Sequence, residues 1–353
     1  MTIPWKTDII VTVWNHPVET RNCLVSLIEH AQDARLVLFD NGSDRETEQI
    51  LEEFAEGLGD RALLLKSQAN LDRVKAINRC VERAEADNVV IVRNTSIVSD
   101  GWLEPMLELV TRRPEAGIVV PRLCPHPAAI GKSAPLEPET ECPSGSFAAM
   151  LLTRRLIESV GVFDETLDGD QWCLLDYSRR ALDAGFLTFA TFGGGVQYSD
   201  SPILGSRQRR DDLVRRSMEE FRRRWGIGST WCVHFPGDTD LQLVRERLDL
   251  LLEMVRTGYR IDVAVHPGHY RELELSGHVA RHSQLRIVRL PRFFAARAAR
   301  KVYESLLDTD RQAVAIAGLD GVPFPEVGEY AAFGTIIDRQ SRRAADAGEH
   351  TEN

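Results

Sequence analysis

Cysteine, long apolar runs and surplus basic charge are what this chain has least of, and each shortage removes a class of protein. Only six cysteines occur in 353 residues (Cys23, Cys80, Cys124, Cys142, Cys173 and Cys232), with no CxxC pair among them. Neither a disulfide framework nor a cysteine zinc site is expected, and the thiols read as reduced and mostly buried, as in a cytoplasmic protein. No run of about 18 apolar residues exists, so no membrane-spanning helix is expected. Met1–Asp8 lacks the basic segment and apolar core of a signal peptide. Lys and Arg number 43 against 53 Asp and Glu, a net charge of −10, which argues against a nucleic-acid partner. Internal repeats and low-complexity tracts are missing too. What remains is an ordinary globular composition, 43% hydrophobic and 27% charged, in a chain long enough for two domains.

The first half alternates strand-like and helix-like patterns, which predicts a mostly parallel α/β sheet. Asp8–Val13, Arg35–Phe39, Ala62–Leu65, Val89–Val92 and Gly117–Val120 read as strands. Helices are expected over 18–30, 44–56, 71–84 and 101–112, with Ser43 or Asp44 capping the second. The proline-rich stretch Arg122–Pro143 reads as an irregular excursion of the kind that lines substrate sites. Phe147–Leu152 resumes regular structure, with helices near 154–160 and 171–184. Phe186–Phe192 and Gly193–Tyr198 read as two strands broken by glycines. Arg207–Arg224 is a helix with eight arginines and four acids. A smaller α/β domain follows, with strands at 231–235, 261–266, 285–290 and 313–317 and amphipathic helices at 241–256 and 293–307. The expected domains are 1–228 and 229–341, with a frayed polar tail over 342–353.

Several short pieces carry a resemblance when taken in order. They are Thr12–Asn15 as a Thr-x-x-Asn turn, Asp40–Ser43 as DNGS, Asn70–Leu71, Ala76–Asn78, Gly101–Leu103, Gly161–Glu165, Ala184–Phe186 and Phe221–Gly226. With these, the first 225 residues resemble family 2 glycosyltransferases, inverting nucleotide-sugar enzymes of the GT-A fold. The resemblance implies that Asp40, with the Thr12–Trp14 backbone and Asn15, holds the nucleobase, usually uracil. Asn70 and Asn78 would line the same pocket. The matching pattern around them favours nucleotide contact for Asp40 and Asn41 over the alternative that they only make the turn and cap the next helix.

Two departures from the family pattern stand out. The family places an acidic triplet after the fourth strand, whose last carboxylate binds Mg or Mn. Here the triplet is Arg93–Asn94–Thr95, which offers neutral oxygens and a cation where a hard metal wants carboxylates. Arg93 either neutralises the donor diphosphate in the metal's stead or forms a surface ion pair. The family also runs Glu-Asp-x-Asp into the helix that ends here at Ala184–Gly185–Phe186. The Glu-Asp of that pattern falls on Cys173–Leu174, and only the last position, Asp176, is kept. The general base is missing from its slot, leaving Asp170 or Asp168 just upstream, or the kept Asp176, to serve, or else an ordinary solvated loop. A later histidine is replaced within Gln197–Asp200.

Elsewhere, His266 and His269 flank a Pro-Gly turn without acidic or thiol partners at metal spacing. Asp238 and Thr239 suit a helix cap. The arginine-rich helix permits peripheral contact with anionic lipid, although Asp211–Arg215 and Glu219–Arg223 are spaced to pair internally. The expectation is an inverting transferase moving a hexose from a UDP-linked donor to a saccharide, lipid-linked or protein acceptor, in building cell-surface polysaccharide. The alternatives are an inactive scaffold that binds nucleotide sugar, or chemistry residing in the second domain.

Overall fold

The computed structural model describes residues 5–124, 138–198 and 207–337. The middle of the proline-rich excursion, Ser199–Asp200 and the polar tail lie outside them. The chain divides into two compact units, Met1–Trp225 and Gly226–Asn353.

In the first unit the elements run β1 (Thr7–Val13), α1 (Pro17–His30), β2 (Arg35–Asn41), α2 (Arg45–Leu58), β3 (Ala62–Ser67), α3 (Arg73–Val81), β4 (Asn88–Arg93), β5 (Ser96–Val98), α4 (Glu104–Arg112) and β6 (Ala116–Cys124). They continue through β7 (Glu139–Glu141), β8 (Ala149–Thr153), α5 (Arg154–Val160), α6 (Gln171–Asp183), β9 (Leu187–Tyr198) and α7 (Arg207–Trp225). The sheet order is β3-β2-β1-β4-β8-β6-β9-β5, with β7 on β9. The run β3-β2-β1-β4 is parallel throughout, and β8 then enters antiparallel between β4 and β6.

β1 shows why this sheet is covered on both faces. Its apolar run points Ile9, Val11 and Val13 to one side and Ile10 to the other. The first set packs with Leu24 and Leu27 of α1, Leu51 of α2 and Met106 of α4. Ile10 packs in a second core with Ile77 of α3, Leu156 of α5 and Tyr177 of α6. At the amino end of β1, the buried Asp8 takes both Nε and Nη2 of Arg35, its register partner on β2, at 2.8 and 2.9 Å. It also accepts the backbone N–H groups of Glu85 and Ala86 at 2.7 and 3.0 Å. Burial raises the Asp8 pKa, but these partners outweigh it and hold the carboxyl below its ordinary range.

The element pattern expected from the sequence holds, with corrections. Leu187–Tyr198 is one strand, not two. Gly193 and Gly194 are needed because the turn before α4 lies against them: a Cβ at Gly194 would sit 2.1 Å from the Asp100 carbonyl oxygen, and one at Gly193 2.3 Å from Pro105. The strand continues past this contact by a shift of register against β6. The helix expected from residue 71 starts at Arg73. On α7 the pairs differ from those read by spacing: Arg215 meets Asp212 at 2.9 Å and Glu219 at 3.9 Å, and Arg223 meets Glu220 at 2.6 Å.

The second unit runs β10 (Thr230–His234), α8 (Leu241–Arg256), β11 (Arg260–Val265), α9 (Pro267–Leu275), β12 (Leu285–Arg289), α10 (Ala295–Thr309), β13 (Val314–Ala317) and β14 (Ala331–Ala332). Its five strands, all parallel, are ordered β12-β11-β10-β13-β14. α9 and β14 were not expected. Asp240 caps α8 by accepting the Leu243 N–H, the place the sequence reading gave to Asp238 or Thr239. His266 caps α9 by accepting the Gly268 N–H at 3.2 Å, and Nε2 of the buried His269 meets the Thr239 carbonyl at 2.9 Å. Burial pushes His234 and His282 down to about 4, so both are neutral at pH 7. All six cysteines are free, and burial raises the Cys23, Cys80, Cys142 and Cys232 thiols to about 12.

Candidate active site

In an open parallel sheet, loops leaving the carboxyl ends of the strands diverge where the winding changes direction, and a crevice opens there. β1 is followed in sequence by its neighbour β2 on one side and lies against β4 on the other, so the change falls between β1 and β4. A cavity of about 600 Å³ lies at that place. Thr12, Val13 and Trp14 close it from the end of β1, and Ile91 to Thr95 from the end of β4.

Its walls are held by a corner of unusual backbone. Asn15 and His16 both adopt left-handed φ, 57° and 62°, which non-glycine residues seldom do. The corner is locked from β2: the Asn15 N–H donates to Ser43 Oγ at 3.0 Å, and Asn15 Oδ1 accepts the Asp44 N–H at 2.8 Å. Gly42 is also left-handed, and a Cβ there would come within 2.7 Å of the Ala69 backbone. That close approach lets Asn41 reach across. Its amide donates to Asn70 Oδ1 at 2.9 Å and to the Leu71 carbonyl at 2.8 Å, while its oxygen accepts the Leu71 N–H at 2.8 Å. The clamp keeps Asn70–Asp72 out of α3, which explains the late start of that helix.

Of the residues singled out from the sequence, the fold brings Thr12, Trp14, Asn41, Asn70, Arg93, Asn94, Thr95 and Asp170 to the cavity wall. Five others do not line it. Asn15 stands behind the wall in the corner just described. Asp40 is buried, and its Oδ1 accepts the Ser43 N–H at 2.9 Å. Asn78 is buried between the Phe163 backbone and Glu165, at 2.9 and 3.0 Å.

Two of the three carboxylates considered as base are likewise committed elsewhere. Asp168 accepts the N–H groups of Trp172 and Cys173 at 2.9 and 3.1 Å, capping α6, and burial raises its pKa. Asp176, fully buried, takes Arg180 at 2.9 Å, Arg224 at 3.3 Å and the Trp225 indole N–H at 2.9 Å. Arg224 also holds Asp164 at 2.6 Å, so the Gly161–Glu165 and Phe221–Gly226 pieces are tied through one hub. Asp170 is different. It is exposed, lines the cavity and makes no side-chain cap.

The cavity also holds residues the sequence reading passed over: His16, Asp72, Arg73 and Phe147. Arg73 reaches the Gly169 carbonyl at 3.4 Å, next to Asp170. The two arginines, Arg73 and Arg93, face one space with the carboxylates Asp72 and Asp170. His16 was within reach, since it follows Thr12–Asn15 directly, whereas Phe147 arrives from the turn before the distant strand β8.

The metal implied by the resemblance meets a donor set that does not suit it. At the end of β4, Asn94 donates its amide to Thr20 at 3.0 Å, and its neighbours are a guanidinium and a hydroxyl. Among the described residues no three His, Cys, Asp or Glu side chains converge to hold an ion. Mg and Mn want several charged oxygens, and these residues do not provide them.

The Glycosyl transferase family 2 model matches residues 8–128. No curated protein matches the chain. Among solved structures, a mannosyltransferase from Pyrobaculum calidifontis, in complex with GDP-Man and Mn2+, is similar at 17% identity and a TM-score of 0.49, over 63% of this chain and 65% of that one. A GalNAc-T7 structure with UDP, GalNAc and Mn2+ is similar at 12% identity and a TM-score of 0.47, over 56% and 44%. The chain therefore spans less than two thirds of either neighbour's length. The segment matched by the family, 121 of the 353 residues, includes every cavity residue except Phe147 and Asp170, and over that segment the chain is similar to glycosyl transferase family 2.

Proposed function

We propose that the first unit transfers a hexose from a UDP-linked donor to a hydroxyl of a saccharide, lipid-linked or protein acceptor, with inversion. The reading is carried by one observation: two guanidinium-bearing residues, Arg73 and Arg93, line the same cavity as Asp170, an exposed carboxylate without capping duty, while Asp72 there is paired with Lys75 at 3.6 Å. The nucleoside lies against Trp14 and the Asn41–Asn70 clamp. The acceptor hydroxyl gives its proton to Asp170 as its oxygen forms a bond to the anomeric carbon. The bond from that carbon to the phosphate oxygen breaks on the opposite face, and the electron pair leaves with the diphosphate. Arg93 and Arg73 stabilise that charge as it develops. No part of this step is assigned to a metal.

A second reading, a nucleotide-sugar-binding scaffold without turnover, is favoured by the buried Cys173 and Leu174 at the family's usual base position. Calorimetric titration of UDP, first with manganese and then with EDTA, tests the donor site. Binding that survives EDTA supports the arginine-based site, and binding only with manganese overturns it. Binding without donor hydrolysis or transfer across a panel of UDP-sugars supports the scaffold.

A further inference from the structure

The second unit carries a surface that the glycosyl-transfer reading does not use. Between Leu285 and Tyr303 the sequence holds six basic residues and no acidic one, in a chain of net charge −10. At the centre of this stretch Phe293 and Phe294 are 74% and 85% exposed. Phe294 is the N-cap of α10 and adopts left-handed φ 59°, a conformation bulky side chains rarely take. The core beneath does not require the pair, because it is made by Ala264, Leu290 and Ala299. Two large apolar side chains are thus held out into water by a strained turn.

The charges around them sort into two sets. Arg286 is bound to Asp262, and Arg300 to Glu304 and Glu326. Arg289, Arg292, Arg297 and Lys301 are exposed and have no ion-pair partner among the described residues. α7, where the sequence suggested lipid contact, is the opposite case. Its Arg215, Arg223 and Arg224 are paired with acids of the same unit, and it carries no exposed aromatic pair.

We propose that the Arg289–Lys301 surface docks on an anionic lipid bilayer. Phe293 and Phe294 enter the interface between headgroups and acyl chains, and the four unpaired cations lie among the phosphates. Exposed phenylalanines ringed by Lys and Arg are what such an interface selects. A second copy of the chain is a poor occupant, since like charges would face each other. The inference does not depend on the transferase reading.

The test is sedimentation of the full chain with phosphatidylcholine vesicles, with and without about 30% phosphatidylserine. The expected result is at least about tenfold tighter binding to the anionic vesicles, weakened by salt. Phe293→Ser with Phe294→Asn, the latter suited to left-handed φ, lowers binding at least about tenfold. Arg292→Glu with Arg297→Glu removes the preference for phosphatidylserine. Phe293→Trp gives a direct reading independent of those variants: its fluorescence shifts to the blue on anionic vesicles. Absence of that shift, or equal binding to both vesicles, overturns the proposal. So does a vesicle-free dimer that the Phe293/Phe294 change dissolves, or capture of an acidic protein through the same residues without lipid binding.

Discussion

The two ends of the strands in the first sheet are built on opposite terms. At the amino end, Asp8 is sealed from water and meets four donors, two from Arg35 and two from the backbone. At the carboxyl end, the same strands run into left-handed Asn15 and His16, a glycine pressed against a neighbouring backbone, and an open cavity. One end spends its polar groups on cohesion, and the other spends cohesion on shape. The second sheet repeats the first device, with buried Asp262 bound to its register partner Arg286. Opposite ends of one set of strands thus divide cohesion from the cavity proposed for chemistry, as expected when strained geometry persists only where its surroundings over-determine it.

If that division holds, variants at the two ends should fail in different assays. The largest effect is expected at Asp170. Asp170→Asn should lower turnover about 1,000-fold while leaving UDP affinity and melting temperature unchanged, measured by transfer assay, calorimetry and thermal unfolding. Next is Arg93→Ala, which should cost about 100-fold in turnover and also weaken UDP, since on the proposed reading the guanidinium meets the diphosphate in both ground and transition states.

At the other end, Asp8→Asn should leave UDP affinity per folded molecule intact but lower unfolding free energy by about 3 kcal/mol, because it strands a half-buried guanidinium. Denaturant titration reads this directly, and a change in UDP affinity would break the division. The folded Asp8 pKa lies below its unfolded value. Its contribution is therefore complete above pH about 4 and is lost as pH falls through the folded value. The stability gap between wild type and Asp8→Asn should narrow over that acid range. The smallest effect is expected at Asp44, whose side chain accepts the Thr47 N–H at 2.9 Å. Asp44→Ala should cost about 1 kcal/mol with little change in turnover.

Much of this molecule was legible in the sequence because strong periodicity and turn chemistry coincide. DNGS reads as a turn and cap, and the structure adds why Gly42 is glycine. The reading failed where a distant contact decides. Residues 71–72 look helical until Asn41, some thirty positions earlier, takes hold of Leu71. Gly193–Gly194 look like a break until the Asp100–Pro105 turn is seen lying on them. β5, three residues long, has no signal of its own and exists by pairing with the end of β9. Asp168, Asp170 and Asp176 are alike as letters, and only hydrogen bonding separates the cap and the hub from the carboxylate that faces the cavity. Arg73 and Phe147 join the site through the sheet order, which spacing along the chain does not reveal.

The antiparallel entry of β8 also sets a timetable. Among the described residues, β6 bonds only to β8 and β9, and β5 only to β9. During synthesis, residues 96–124 are therefore made before either partner strand. The first four strands can pair as they emerge, while the next two wait, unpaired, until residues 149–198 follow. The stretch that carries the family signature, 8–128, cannot close its own sheet. A chain truncated near residue 130 and released would expose the edges of β4 and β6, the species for which a chaperone has most to offer.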